Sequence, residues 1–296
     1  MAQDLPVEIV REILSTATEV FLISDRATAL GIALTSTLGY HAAIPILYRT
    51  LYAIEGNSQA IRYLFDDHGV AATELGKVLR IPPSQRLCPL VQRLFLGHAH
   101  GISSADLDCL TNLQKITSYY EFGVQKVALT LTHLTILSAS RLYHKFASLT
   151  HVSYYFSTNH FEEVMGNLTE CPSPRTITHI TLDMNDCPSA DAVLSLHNLI
   201  QYILARQETV CLALHIFSMA LEEKSRDAIL RALRQAARSE EDRKKLLIWY
   251  DERVMEDYED DAKACMEDLI LGRNAWTEGR QLTQNEWHGI DEPDNA

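Results

Sequence analysis

One six-residue phrase recurs five times in this chain and limits what it can fold into. It reads V-Q-R-L-F-L from Val91, L-Q-K-I-T-S from Leu113, L-T-H-L-T-I from Leu131, L-T-H-V-S-Y from Leu149 and I-T-H-I-T-L from Ile177. The starts lie 22, 18, 18 and 28 residues apart. The last four positions alternate apolar and polar and are rich in β-branched or aromatic residues, the pattern of a short strand. Side chains alternate across a strand, so the fourth and sixth positions face one way and the third and fifth the other. Near-copies at such intervals predict a solenoid in which each strand adds to its neighbour. Leu134, Ile136, Val152, Ile180 and Leu182 would then line a continuous core. Intervals of 18 residues predict tight loops, whereas residues 192–206 and 221–238 keep helical spacing. Further strands are expected at 210–217 and 246–250.

The start of the chain has a different period. Ile9, Val10, Ile13, Leu14 and Ala17 recur at helical spacing, with Glu8, Arg11 and Glu12 opposite. Pro6 sits where a first turn tolerates a missing N–H. Ser24 or Asp25 is the expected N-cap of a second helix, and Pro45 is expected to open a third. Three short helices bury too little surface among themselves, so their leftover apolar faces must meet either the rest of the chain or another protein.

Leu5-Pro6, Glu8-Ile9, Ile13-Leu14, Ala33-Leu34, Ser36 and the run Ile44-Pro45 through Leu47-Tyr48-Arg49 resemble the F-box of fungal F-box proteins. The phrase repeated from Val91 is similar to leucine-rich repeats of the irregular kind, with Asn185 standing where a ladder asparagine would follow Ile177. The resemblance implies a linker contact through Leu5, Pro6, Ile9, Ile13 and Leu14, to the Skp-type linker subunit of a cullin–RING ubiquitin ligase. It also implies that the repeats hold a target protein.

Composition excludes several other classes. Hydrophobic residues make up 47% and charged residues 22%, as in ordinary globular proteins. No apolar run reaches the roughly 18–20 residues of a membrane span, and Asp4 and Glu8 stand where a secretion signal needs basic and then apolar residues. A cytoplasmic or nuclear location is therefore expected. Net charge is −13, and residues 239–296 alone carry 17 acids and 7 bases. Nucleic acid, which needs a basic surface, is not an expected partner. The six cysteines fit no zinc spacing. No nucleophile elbow, phosphate-binding loop or dinucleotide fingerprint is present. His98 and His100 alternate, and His133, His151 and His179 recur at one repeat position, but Arg93 and Lys115 occupy the same position in the other copies. A polar strand position explains that column better than metal ligation.

The expected fold is therefore α/β: an N-terminal helical F-box-like module over residues 1–52, then an irregular leucine-rich-repeat solenoid over 53–285 with an acidic helical cap, then a disordered tail from 286. The expected function is a non-enzymatic ligase adaptor, with no catalytic residue, cofactor or metal. The alternative is a scaffold whose N-terminal helices cap the solenoid. Exposure of Leu5, Pro6 and Ile9 favours the adaptor, and their burial against residues 91–120 favours the scaffold. The column Arg93, Lys115, His133, His151 and His179 is the expected target-binding face, suited to an acidic or phosphorylated segment.

Overall fold

A computed structural model describes residues 5–54, 57, 61, 64–65, 83–97, 104–118, 130–136, 148–156, 164–166, 168, 176–184, 190–217, 223–253 and 258–288. Asn185, His98 and His100 lie outside the described residues, as does the tail from 289. Five strands form where the repeated phrase predicts them, two at the further strand positions expected near the C-terminal end, and one, at Thr50–Ala53, where none was expected. In chain order they are β1 (Thr50–Ala53), β2 (Arg93–Leu96), β3 (Lys115–Ser118), β4 (His133–Ile136), β5 (His151–Phe156), β6 (His179–Met184), β7 (Cys211–Phe217) and β8 (Leu246–Asp251). The helices are α1 (Val7–Ser24), α2 (Arg26–Thr35), α3 (Thr37–Leu47), α4 (Pro83–Leu87), α5 (Ser104–Leu107), α6 (Ala190–Ala205), α7 (Glu223–Ala236), α8 (Glu240–Lys244), α9 (Tyr258–Leu271), α10 (Ala275–Glu278) and α11 (Gln284–His288).

The eight strands of the described residues join one parallel sheet in sequential order. Equivalent positions pair across it, so Arg93, Lys115, His133, His151 and His179 stand in one row, followed by Cys211. The next row, Leu94, Ile116, Leu134, Val152, Ile180, Leu212 and Leu246, is at most 1% exposed. It merges with α6 and α7 through Leu199, Ile200, Ile203, Ile229 and Leu233. Burying each such aliphatic side chain is worth about 1.5–3 kcal/mol, so this face is the main core.

The expected solenoid of leucine-rich repeats is overturned by this arrangement. In a solenoid each unit contacts only its neighbours. Here the repeated phrases supply five of eight strands of a single sheet, and α9 returns from far along the chain to the row begun by Arg93. The Arg93 guanidinium donates to the carbonyls of Leu269 (2.6 Å) and Ile270 (2.9 Å). Those carbonyls are left free because Gly272, with φ 74°, ends the helix in the left-handed region. Both faces of the sheet are thus covered, as all-parallel sheets require.

The N-terminal expectation is corrected too. The helical part stops at Leu47, because Thr50–Ala53 is the first strand of the sheet rather than the end of a helix. Asp25 caps α2, accepting from the N–H groups of Ala27 and Thr28, and Ser36 caps α3 by accepting from Gly39. Pro45 lies inside α3 rather than at its start. The tight turn between α2 and α3 needs a glycine, since a Cβ at Gly39 would lie 2.3 Å from the Ile32 carbonyl oxygen. These helices do not establish an F-box as a fold, and the resemblance stays one of sequence.

The boundary expected at 286 falls inside a docked element. Arg280 forks onto the Glu286 carboxylate at 2.8 and 2.7 Å, and Trp287 packs on the core beneath the Arg243 guanidinium, 5.0 Å from its ring. Arg280 also bridges Ile248 in antiparallel fashion, covering the edge strand β8. Truncation after Thr283 is therefore expected to cost about 2 kcal/mol, a fall of roughly 5 °C in melting temperature. A melting curve that does not move would show that this helix contributes nothing.

Candidate functional site

Two surfaces have the makings of a site. The first is α1 and α2. Ile9, Ile13 and Val20 follow one another down a single side of α1 and are 44%, 53% and 61% exposed. Leu5 and Pro6 continue this exposed stripe toward the chain start, and Leu30 and Leu34 are exposed on α2. Leu14 is half-buried, about 100° further round the helix than Ile13. Of the expected linker residues, four are thus presented to solvent and Leu14 is turned partly inward.

The second surface is the polar face of the sheet. Arg93, Lys115, His133, His151 and His179 are brought into one row as expected, but not into the open. Arg93 caps α9. The imidazoles of His133, His151 and His179 stack at 4.0 and 4.2 Å, and the Trp276 ring of α10 meets His151 edge-on at 4.8 Å. Each ring also has a local anchor. Thr132, Thr150 and Thr178 hydroxyls lie 2.8, 2.7 and 2.9 Å from the Nδ1 atoms of the histidines that follow them. Those hydroxyls donate to backbone carbonyls of the preceding strand or its entry, so Nδ1–H donates to Oγ1. Burial pushes the His133 imidazole down to about 4, helped by the Lys115 ammonium, and His151 to about 3, helped by His133. Burial lowers His179 as well. Burial thus favours the neutral form of all three imidazoles.

Further along the same face lies a network that the repeated phrase does not foretell. Asp183 of β6, His215 of β7 and Asp251 of β8 are buried. His215 Nδ1 meets Asp183 at 2.9 Å and Nε2 meets Asp251 at 3.1 Å. Burial opposes the charged imidazole, yet the hydrogen bonds to the two carboxylates outweigh it and raise its pKa. Trp249 stacks flat on the ring at 3.9 Å. Arg253 joins Asp251 to Asp268 of α9, reaching the latter at 3.0 and 2.8 Å. Burial works against the Asp251 carboxylate, but its bonds to Arg253 and His215 hold its pKa far below the usual range.

The serine of this network does not make a nucleophile. The Ser153 hydroxyl donates to Asp183, not to the imidazole. His215, with both nitrogens on carboxylates, has no lone pair left to take a proton. The group works as a charged clamp between β6–β8 and α9. Among the described residues no cluster of three or more His, Cys, Asp or Glu could hold a metal ion, and no helix is long and apolar enough to cross a membrane. Asp183 and His215 went unseen in the sequence because each is one polar residue in an apolar strand, with partners about thirty residues away. Protein-family models, curated proteins and solved structures yield no match to this chain.

Breaking a buried ion pair strands the other charge. Asp183→Ala is expected to destabilise by about 3 kcal/mol or more. Glu19→Ala, which breaks the exposed 3.1 Å pair with Arg49, should cost less than about 1 kcal/mol. Equal costs in denaturant titrations would refute the clamp.

The histidine column sets an acid limit. The unfolded chain protonates these imidazoles near the ordinary value of about 6.5, whereas the folded column resists down to about 4 for His133 and about 3 for His151. Its stabilisation is complete above pH 6.5 and is lost as pH falls toward 4 and below. The His215 contribution has the opposite sign, being present below 6.5 and lost as pH rises through its raised value. Replacing His133 and His151 together with Gln should flatten the acid limb in melting temperatures measured from pH 4 to 7. An unchanged limb would place the titration elsewhere.

Proposed function

We propose that this chain is a non-enzymatic adaptor that docks through α1 onto the Skp-type linker subunit of a cullin–RING ubiquitin ligase and holds a target protein near the ligase. The observation that carries this reading is the exposure of Leu5, Pro6, Ile9 and Ile13, the residues in which the sequence resembles an F-box. In the scaffold alternative these groups would be covered by the sheet, and they are not. A few apolar anchors of this kind commonly supply most of the affinity of a protein–protein contact. The closed hydrogen bonding of His215 supports a chain that contributes proximity rather than chemistry.

The charged row is not a ready target face. Arg93 is engaged with α9, and His133, His151 and His179 lie against α10, so an acidic segment reaches them only by displacing those helices.

Because Leu5 and Ile9 are exposed, changing them should leave the fold within about 0.5 kcal/mol per site. Leu5→Asp combined with Ile9→Asp is expected to abolish co-purification of the linker subunit while the melting temperature holds. Linker recovered in the ordinary amount by the doubly substituted protein would remove the basis for this function.

A further inference from the structure

Between the polar face of the sheet and the α9–α10 segment lies a cleft of about 70 Å³, lined by Lys115, Thr117, Thr135, Ser153 and Thr181 from the strands, and by Arg273 and Trp276 from beyond α9. Three buried polar atoms on this lining have no hydrogen-bond partner among the described residues: Thr181 Oγ1, Arg273 Nε and Trp276 Nε1. The guanidinium and indole nitrogens are donors only, and the hydroxyl can donate. Buried donors left unpaired cost free energy, so three on the lining of one small space point to an acceptor that the described residues do not supply.

Asp183, Asp251 and Asp268 meet His215, Arg253 and Arg273 in the clamp, and Glu267 also reaches Arg273 at 3.9 Å. Arg93 is satisfied by helix carbonyls. That leaves the Lys115 ammonium as the positive charge on the cleft without an ion-pair partner among the described residues. The neighbouring histidine column, held neutral, neither competes with it nor replaces it. Burial, and then Arg93, disfavour the charged ammonium, Asp268 and Asp183 offset part of this, and an anion beside it would relieve more of the penalty.

We infer that this cleft binds a small oxyanion, of the carboxylate or phosphate class, held by Lys115, Arg273, Trp276 and the strand hydroxyls. The volume admits one such group and excludes a polyphosphate or a folded segment. Asp183 and Asp268 also line the cleft, but their oxygens face Ser153, His215, Arg253 and Arg273. The site is separate from the linker contact on α1, so the two readings stand or fall independently.

The test uses the full chain, with inorganic phosphate and acetate titrated in parallel against chloride at matched ionic strength. Melting temperature and heat of binding are recorded. At about a hundredfold excess over the dissociation constant, the preferred anion should raise the melting temperature by roughly 5 °C and then saturate. Whichever of phosphate and acetate gives the tighter saturating isotherm identifies the class. Lys115→Met should abolish the response while leaving the unliganded protein at least as stable, because a buried charge is removed. Trp276→Phe keeps an aromatic side chain but loses the indole N–H, and should weaken binding about tenfold. It decides the matter if the Lys115 variant does not fold. No saturable response to either anion, or the same response in both variants, overturns the site.

Discussion

Register across the parallel sheet is the constraint on which the rest of this structure depends. With Arg93 aligned to Lys115, His133, His151 and His179, every residue of every strand is committed to one face or the other. A slip of one residue would send the buried aliphatic row into the polar layer and the charged row into the core. The Thr-His pairs reinforce the register. Each threonine hydroxyl ties its own strand's entry to a carbonyl one strand back while it orients the imidazole beside it.

The two faces solve different problems. The apolar face is closed by α6 and α7 in the ordinary way, by area removed from water. The other face is mixed, with hydroxyls, imidazoles and carboxylates among a few apolar groups such as Phe95 and Phe217. Covering it with α9 and α10 would strand those polar groups unless they found partners. The clamp of Asp183, His215, Asp251, Arg253 and Asp268, with Arg273 on Asp268, does this by giving each carboxylate a cationic partner, and the Arg93 cap does it at the helix end. Three donors left unmatched beneath this cover, on Thr181, Arg273 and Trp276, belong to residues of one small cleft. The N-terminal helices keep their own exposed apolar stripe outside this closure.

Strand positions, their alternation and the α/β class were legible because period-2 patterning and β-branched residues are local properties. The helices at Ala190–Ala205 and Glu223–Ala236 were legible for the same reason, at period 3.6. The chain also determined by itself that Leu5, Ile9 and Ile13 form an apolar set, but not whether anything in the molecule covers them.

Only the tertiary structure decided what the charged row does. In the sequence, a third-position Arg, Lys or His looks like a solvated strand residue, since strand geometry fixes the face but not what lies over that face. The cover comes from α9 and α10, more than a hundred residues later than Lys115 and His133, and their docking leaves the row half-buried against them. The same distance separates leucine-rich-repeat spacing from the fold. Intervals of 18 to 28 residues report how often strands recur. They do not report that β1, β7 and β8 extend the same sheet, or that a returning helix closes it. Local periodicity is set by neighbours in the chain, whereas closure and charge pairing are set by groups that meet only after the chain has folded.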